Sequence, residues 1–231
     1  MNFETWEPVY EAILADFGFD RAADERARDR FAGILGDREP YDLRKLEVAS
    51  GTIAIAGGAA TLSDELAAVE RADAVFAAGA ALSRLHEAGL AVDCAVTDLD
   101  STPERAVALA REGTPVVAHA HGDNIPAVEA YGPRLAEGAV VPTTQAAPVD
   151  RVRNFGGFTD GDRAAFLADH LGADELVFPG WDFEDPSVDS MKARKLVWAE
   201  RLLYWLEERR DERFDVLDGR RIGIDTDALP V

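Results

Sequence analysis

From Thr52 onward, short unbroken apolar runs alternate with helical periods, and a polar cluster follows nearly every run. The runs at 52–56, 73–77, 92–96, 115–118, 139–141 and 175–178 read as strands. Strands without polar alternation are those covered on both faces, and strands that alternate with helices build parallel sheets. Helix starts are marked by Thr61 with Asp64, by Ser101 with Glu104 after Pro103, and by Thr159 with Asp162, three candidate capping boxes. Further helices are expected over 82–88, through His170, and over 188–209, with 220–224 as a last edge strand. The expected fold is α/β, a mainly parallel Rossmann-like sheet with helices on both faces. In such sheets ligands bind beyond the carboxyl ends of the strands, where the polar clusters of this chain fall.

Residues 1–48 have a different pattern. Trp6, Tyr10, Ile13, Leu14 and Phe17 recur at helical spacing along one stripe, and a second helix over about 24–35 ends near Gly36. No group in this segment suggests chemistry. It is expected to be an N-terminal helical cap on a catalytic α/β domain spanning 49–231.

Composition narrows the function classes. Asp and Glu number 44 against 24 Lys and Arg, a net charge of −20, and the lysines are Lys45, Lys192 and Lys195 alone. Such self-repulsion is screened at high ionic strength, so the chain reads as adapted to a salt-rich, halophilic cytoplasm. It lacks the basic footprint of a nucleic-acid binder. Cys94 is the single cysteine, which excludes an internal disulfide and a cysteine-based zinc site. No apolar stretch approaches the roughly 18 residues of a membrane span. The start, Met1 to Glu4, lacks a basic secretory leader, so no membrane association and a cytoplasmic location are expected. A homo-oligomer is compatible with the sequence.

The sharpest chemical signal is Asp98 and Asp100, just after the third strand. An i, i+2 pair leaving a strand points to one side and can hold a hard cation, and magnesium favours one or two carboxylates plus phosphate oxygens and water. Asp123, in the His119-Ala-His121-Gly-Asp123-Asn124 run after the fourth strand, is placed to complete that set. His119 and His121 lack a third zinc ligand and are expected to contact phosphate or substrate. Gly57-Gly58 suggests a turn where backbone approaches an anion. Thr144 and Gln145 offer groups suited to a heterocycle edge. The run Asn154-Phe-Gly-Gly-Phe-Thr159-Asp160-Gly-Asp-Arg163 crowds polar groups between aromatics, with Asp162 explicable as the capping partner of Thr159. Trp181, Asp182 and Glu184 are candidates for a lid, and Trp198, Tyr204 and Trp205 for core.

In order and wording these motifs resemble the archaeal 6-hydroxymethyl-7,8-dihydropterin diphosphokinases, a family distantly similar to thiamine diphosphokinases. The stretches that carry the resemblance are 56–62, 93–101, 119–124, 143–145 and 154–163, with Ala59 and Ala60 standing where that family often has proline and serine. The resemblance implies transfer of diphosphate from ATP to the hydroxymethyl group of a reduced pterin, with release of AMP and magnesium as cofactor. The implied ligands to magnesium are Asp98, Asp100 and Asp123. Arg163 would meet phosphate charge, His121 is the nominee for a general base, and Gly57, Gly58, Thr144, Gln145, Asn154, Thr159 and Asp160 would contact the substrates.

Other readings compete. Asp98-Leu-Asp-Ser-Thr102 also fits the Asp-x-Asp-x-Thr loop of haloacid-dehalogenase-like phosphatases, with Asp98 as nucleophile, although that loop normally opens its fold near the N-terminus. A thiamine-type acceptor and a non-catalytic nucleotide-binding module related to flagellin-modifying proteins are the remaining alternatives.

Overall fold

The computed structural model describes residues 1–46, 48 and 51–231. The expected change of segment, between residues 48 and 49, falls where Glu47, Ala49 and Ser50 lie outside the described residues. Six strands, β1 (Thr52–Ala56), β2 (Ala74–Ala78), β3 (Cys94–Thr97), β4 (Val116–Ala120), β5 (Val140–Thr144) and β6 (Glu175–Val177), form one sheet in the order β5-β4-β3-β2-β1-β6. Every neighbouring pair is parallel. The α/β reading holds, and the sheet is wholly parallel.

The chain steps from β1 to β5 in one direction through α3 (Leu66–Arg71), α4 (Ala81–Glu87), α5 (Pro103–Glu112) and α6 (Ile125–Leu135). Right-handed crossovers in a single direction put all four helices on one face. There the strands present mostly alanine (Ala56, Ala77, Ala95, Ala118 and Ala120), so the helices approach closely. The return to β6 uses α7 (Asp160–His170), which packs with α8 (Ser190–Arg210) on the other face, against Ile53, Ile55, Phe76, Val96 and Val117.

The two N-terminal helices divide between these layers. Helix α1 (Phe3–Phe17) buries Trp6, Val9, Tyr10 and Ile13 in the core that holds α7 and α8. Helix α2 (Arg21–Leu35) buries Ala27, Phe31 and Leu35 in the core on the opposite face, beside α6. The stripe read from Trp6 to Leu14 is the buried face of α1, while Phe17 remains half-exposed. Because the pair straddles the sheet, the turn between them (residues 18–20) meets the ends of the strands.

Several local expectations are corrected. After β1 the chain enters a short 3-10 turn, Ala60–Asp64, with no side-chain cap, and the Thr61 hydroxyl is buried without a partner. Helix α5 is capped from Thr102 with no side-chain hydrogen bond, so Ser101 and Glu104 form no capping box. Glu104 instead pairs with Arg134 at 2.7 Å. The expected edge strand at 220–224 is a 3-10 turn, Arg221–Gly223, since the Arg221 guanidinium turns inward to Glu207 at 2.6 Å. The capping box of α7 is present: the Thr159 hydroxyl and backbone N–H both donate to Asp162, which is fully buried. No helix among the described residues is long and apolar enough to cross a membrane.

Candidate active site

The carboxyl ends of the strands, the N-terminus of α7 and the α1–α2 turn enclose a cavity of about 470 Å³. It takes Gly57 and Gly58 from the end of β1, Gly79 and Ala80 from β2, Asp98, Asp100 and Ser101 from β3, His121 and Asp123 from β4, and Gln145 from β5. Thr159, Asp160 and Arg163 enter from α7.

The acidic pair owes its geometry to the residue between its members. Strand β3 stops at Thr97, and Leu99 then adopts a left-handed conformation, φ 68°, while its side chain is buried. Thr97 Oγ1 accepts the Leu99 N–H at 2.9 Å, and Asp98 Oδ1 accepts the Asp100 N–H at 3.2 Å. The expectation of an extended i, i+2 pair is therefore corrected: a tight turn, not strand pleating, brings the two carboxylates together.

Their charge states diverge. Burial would raise the Asp98 carboxyl, but the His121 ring and the Arg163 charge outweigh it and hold Asp98 well below the usual carboxylate range. Asp100 is pushed upward, first by burial and then by the Asp98 charge. Asp160 is pushed well upward by burial and by Asp98, against the pull of Arg163, which pairs with it at 3.2 Å. A divalent cation would reverse the field that separates these groups. Two facing carboxylates with space for phosphate oxygens and water are a donor set that suits magnesium. Asp98 and Asp100 fit it, and Asp123 lines the same cavity. Among the described residues no three His, Cys, Asp or Glu side chains converge to hold a metal by themselves, so phosphate oxygens would have to share the coordination.

The two histidines part company. His121 Nδ1 accepts the Asp123 N–H, which leaves Nε2 to carry the proton, 3.5 Å from Asp98 Oδ2. His119 is buried beside Thr143, whose hydroxyl donates to Ala118 O and so accepts from His119 Nδ1 at 3.0 Å. Burial, then Arg163, push the His119 pKa well below the usual histidine range, so the ring is neutral. It does not line the cavity, which corrects its expected contact with phosphate or substrate.

Other expected residues are explained by packing. The Gly57 N–H donates to Pro179 O and the Ala59 N–H to Gly180 O, so two amides of this turn are already used. A Cβ on Gly57 would run into Gly180 O and the Trp181 ring. Thr144 Oγ1 accepts the Ala146 N–H, and Asn154 ties Gln145 O, Ala146 O and the Gly156 N–H together. Neither Thr144 nor Asn154 lines the cavity. Trp181 and Asp182 line it, but Trp181 is anchored through Nε1 to Ile55 O at 2.8 Å and lies against Gly161, and Glu184 pairs with Arg220.

The structure also brings in groups that sequence reasoning passed over. Lys192 and Lys195, near the start of α8, line the cavity. Their signal was available, because in a chain with three lysines and a net charge of −20 two retained within one helical turn are informative. Phe19, Asp20 and Asp24 line it from a segment expected to carry no chemistry. Asn124 is the clip of the site: its Nδ2 donates to Asp98 O and His119 O, each at 2.7 Å, and its Oδ1 accepts the His121 N–H at 2.9 Å.

Residues 34–187 match the family described as 6-hydroxymethylpterin diphosphokinase MptE-like. A protein of Methanothermobacter thermautotrophicus named 6-hydroxymethyl-7,8-dihydropterin pyrophosphokinase is 37% identical over 232 residues, covering 93% of this chain and 99% of its own length. Proteins of the same name from Pyrococcus furiosus and Methanocaldococcus jannaschii are 36% identical over 225 residues and 30% over 239, covering 90% and 93% of this chain and 95% and 99% of their own lengths.

Proposed function

The chain belongs to the MptE-like family of 6-hydroxymethylpterin diphosphokinases, and on that premise we propose that it transfers diphosphate from ATP to the hydroxymethyl oxygen of 6-hydroxymethyl-7,8-dihydropterin, releasing AMP. The observation that carries the reading is the charge arrangement at the end of β3. An ionised Asp98 and its neighbour Asp100 face a cavity that also receives Arg163, Lys192 and Lys195. Carboxylates serve a metal and cations serve phosphate oxygens, and a transfer of this kind is mostly positioning and charge neutralisation.

Strand order supports a two-substrate site. Strand β3 lies inside the sheet, with β2 and β1 on one side and β4 and β5 on the other. The cavity follows the ends of all five, so two ligands can enter from opposite sides and meet over Asp98 and Asp100. Magnesium held by these two carboxylates, with Asp123 within the same cavity, would neutralise the triphosphate and so favour departure of AMP. Arg163 and the lysines hold the oxygens of the moving group. His121 lines the cavity beside Asp98 and is the nominee to receive the hydroxymethyl proton, on the ring nitrogen that carries none. The product would feed pterin cofactor synthesis of the folate or tetrahydromethanopterin type. The net charge of −20 fits work in a salt-rich cytoplasm.

Incubation with ATP, magnesium and the reduced pterin, with thiamine in parallel, tests the reading. Pterin-dependent AMP and pterin diphosphate are expected. ADP, free phosphate, or an aspartyl-phosphate trapped at Asp98 would each refute it, and AMP formation with thiamine alone would move the acceptor.

A further inference from the structure

The α1–α2 hairpin contributes more than packing, because one buried polar chain runs from it into the cavity. Asp24, on the first turn of α2, is 4% exposed and has no cation within ion-pairing distance among the described residues, an unusual state for a carboxylate. Its Oδ1 accepts the Gly122 N–H at 2.8 Å, and its Oδ2 accepts the Tyr10 hydroxyl at 2.8 Å and Gln145 Nε2 at 2.7 Å. Gln145, also 4% exposed, turns its Oε1 to Arg163 Nη2 at 3.2 Å. Arg163 completes the chain by donating from Nη1 to Asp160.

The direction of every bond in this chain is fixed by its ends. Both Asp24 oxygens accept and a guanidinium only donates, so the amide between them has one consistent orientation, NH₂ toward Asp24 and C=O toward Arg163. The backbone of Gln145 is pinned independently: its carbonyl accepts Trp6 Nε1 at 3.0 Å and Asn154 Nδ2 at 2.8 Å. The amide can therefore rotate end for end but has little freedom to leave.

We propose that Asp24 is a positioning residue for the phosphate-binding Arg163, acting through the orientation of the Gln145 amide. The hairpin is thereby part of the active site's machinery rather than a cover for it. The inference rests on the diphosphokinase reading only in naming phosphate as the group Arg163 meets.

The test is a polarity swap. In Asp24→Asn the introduced NH₂ faces the NH₂ of Gln145, since the remaining oxygen at position 24 is held by the Gly122 N–H. The Gln145 amide must turn over, and its NH₂ then confronts the Arg163 guanidinium, donor against donor. In Gln145→Glu two carboxylates, that of Asp24 and the introduced one, confront each other, acceptor against acceptor. In the double variant the introduced amide at position 24 donates to one oxygen of the introduced carboxylate at position 145, and Arg163 donates to the other. The chain is then whole again with its total charge unchanged.

Each single variant should lower kcat with ATP by about tenfold or more, the size expected of a buried donor left facing a donor. The double variant should recover most of that loss, and Asp24→Asn should cost nothing further once Arg163→Ala is present. Tm measured without substrates should follow the same pattern, two falls and a recovery. That cycle judges the chain even if the wild-type protein makes no AMP from pterin, a result that would sink the diphosphokinase reading alone. Wild-type turnover in Asp24→Asn, additive losses in the double variant, or a single variant that fails to fold and is not restored by the second change would overturn the proposal.

Discussion

Replacing Asn124 probes how the site is held together. The last ladder pair of β3 and β4 is Thr97 with Ala118, so the carbonyls of Asp98 and His119 lie just past the sheet and rely on the Asn124 NH₂. Asn124→Ala removes those two bonds and the one its Oδ1 makes to the His121 N–H, all centred on a side chain only 7% exposed. At about 1 kcal/mol for each bond, the variant should lose about 3 kcal/mol of stability. For a chain of this size that corresponds to a Tm lower by roughly 6–12 °C. Turnover should fall more steeply, because Asp98 and His121 both lose their backbone anchor and a shift of about 1 Å costs on the order of 100-fold. Asn124→Asp separates hydrogen bonding from shape. It keeps the volume and the acceptor for His121, yet it sets a carboxylate oxygen against two carbonyl oxygens that now sit 2.7 Å from a donor. It should therefore be at least as damaging as alanine. Thermal melts and AMP release measured on both variants decide the matter, and an Asn124→Asp protein with wild-type Tm and turnover would refute the reasoning.

Asp98→Asn and Asp100→Asn should each lower turnover by at least ~100-fold with the fold intact, the usual size for losing one electrostatic stabiliser, and AMP release at saturating ATP measures it. Because burial and the Asp98 charge raise the Asp100 carboxyl, Asp100→Asn should raise Tm without magnesium, whereas Asp98→Asn, which gives up the favourable field of His121 and Arg163, should not; the rise in Tm that magnesium gives the wild-type protein should shrink in both variants. Gly57→Ala should lower stability by about 1–3 kcal/mol through the clash with Gly180 O, read as a lower denaturant midpoint, and an unchanged midpoint would remove the packing account of this glycine. His119 is held well below its ordinary pKa, mainly by burial, so the unfolded chain takes up its proton first as pH falls. The stability it contributes is present above about pH 6.5 and is lost below, at up to about 1.4 kcal/mol per pH unit. His119→Gln should flatten the stability profile between about pH 6.5 and 5, and an unaltered slope would contradict a buried neutral ring.

Strand–helix alternation made the parallel sheet legible because period and apolarity are local properties of the chain, and so was the position of the site beyond the strand ends. The capping box of α7 was legible for the same reason, since Thr159 and Asp162 meet within one turn. The equally good pattern at Ser101 and Glu104 failed for a nonlocal reason: Arg134, 30 residues away, takes Glu104. Asp24 had no sequence signal at all. An aspartate in the first turn of a helix is what the helix dipole favours on any surface, and its burial depends on Tyr10, Gly122 and Gln145, which come from three other elements. Lys192 and Lys195 were legible only against the composition of the whole chain, as the exceptions to its avoidance of lysine.

The Asp98-Leu99-Asp100 triplet shows why residue spacing alone underdetermines a site of this kind. In extended backbone the two carboxylates would lie about 6–7 Å apart by their α-carbons and titrate nearly independently. The left-handed Leu99 instead draws them within direct influence of each other, so that one is ionised and the other is pushed upward. A non-glycine residue in that conformation costs about 1–2 kcal/mol, while burying a leucine side chain contributes about 1.5–3 kcal/mol. Leu99 is 2% exposed in the core beneath α5, so hydrophobic burial offsets the strain and keeps the turn closed without help from the carboxylates it brings together. Glycine would reach the same φ with no strain but would supply no such anchor. The apolar residue between the acids is thus the part of the triplet that holds two like charges side by side, where a divalent cation can use both.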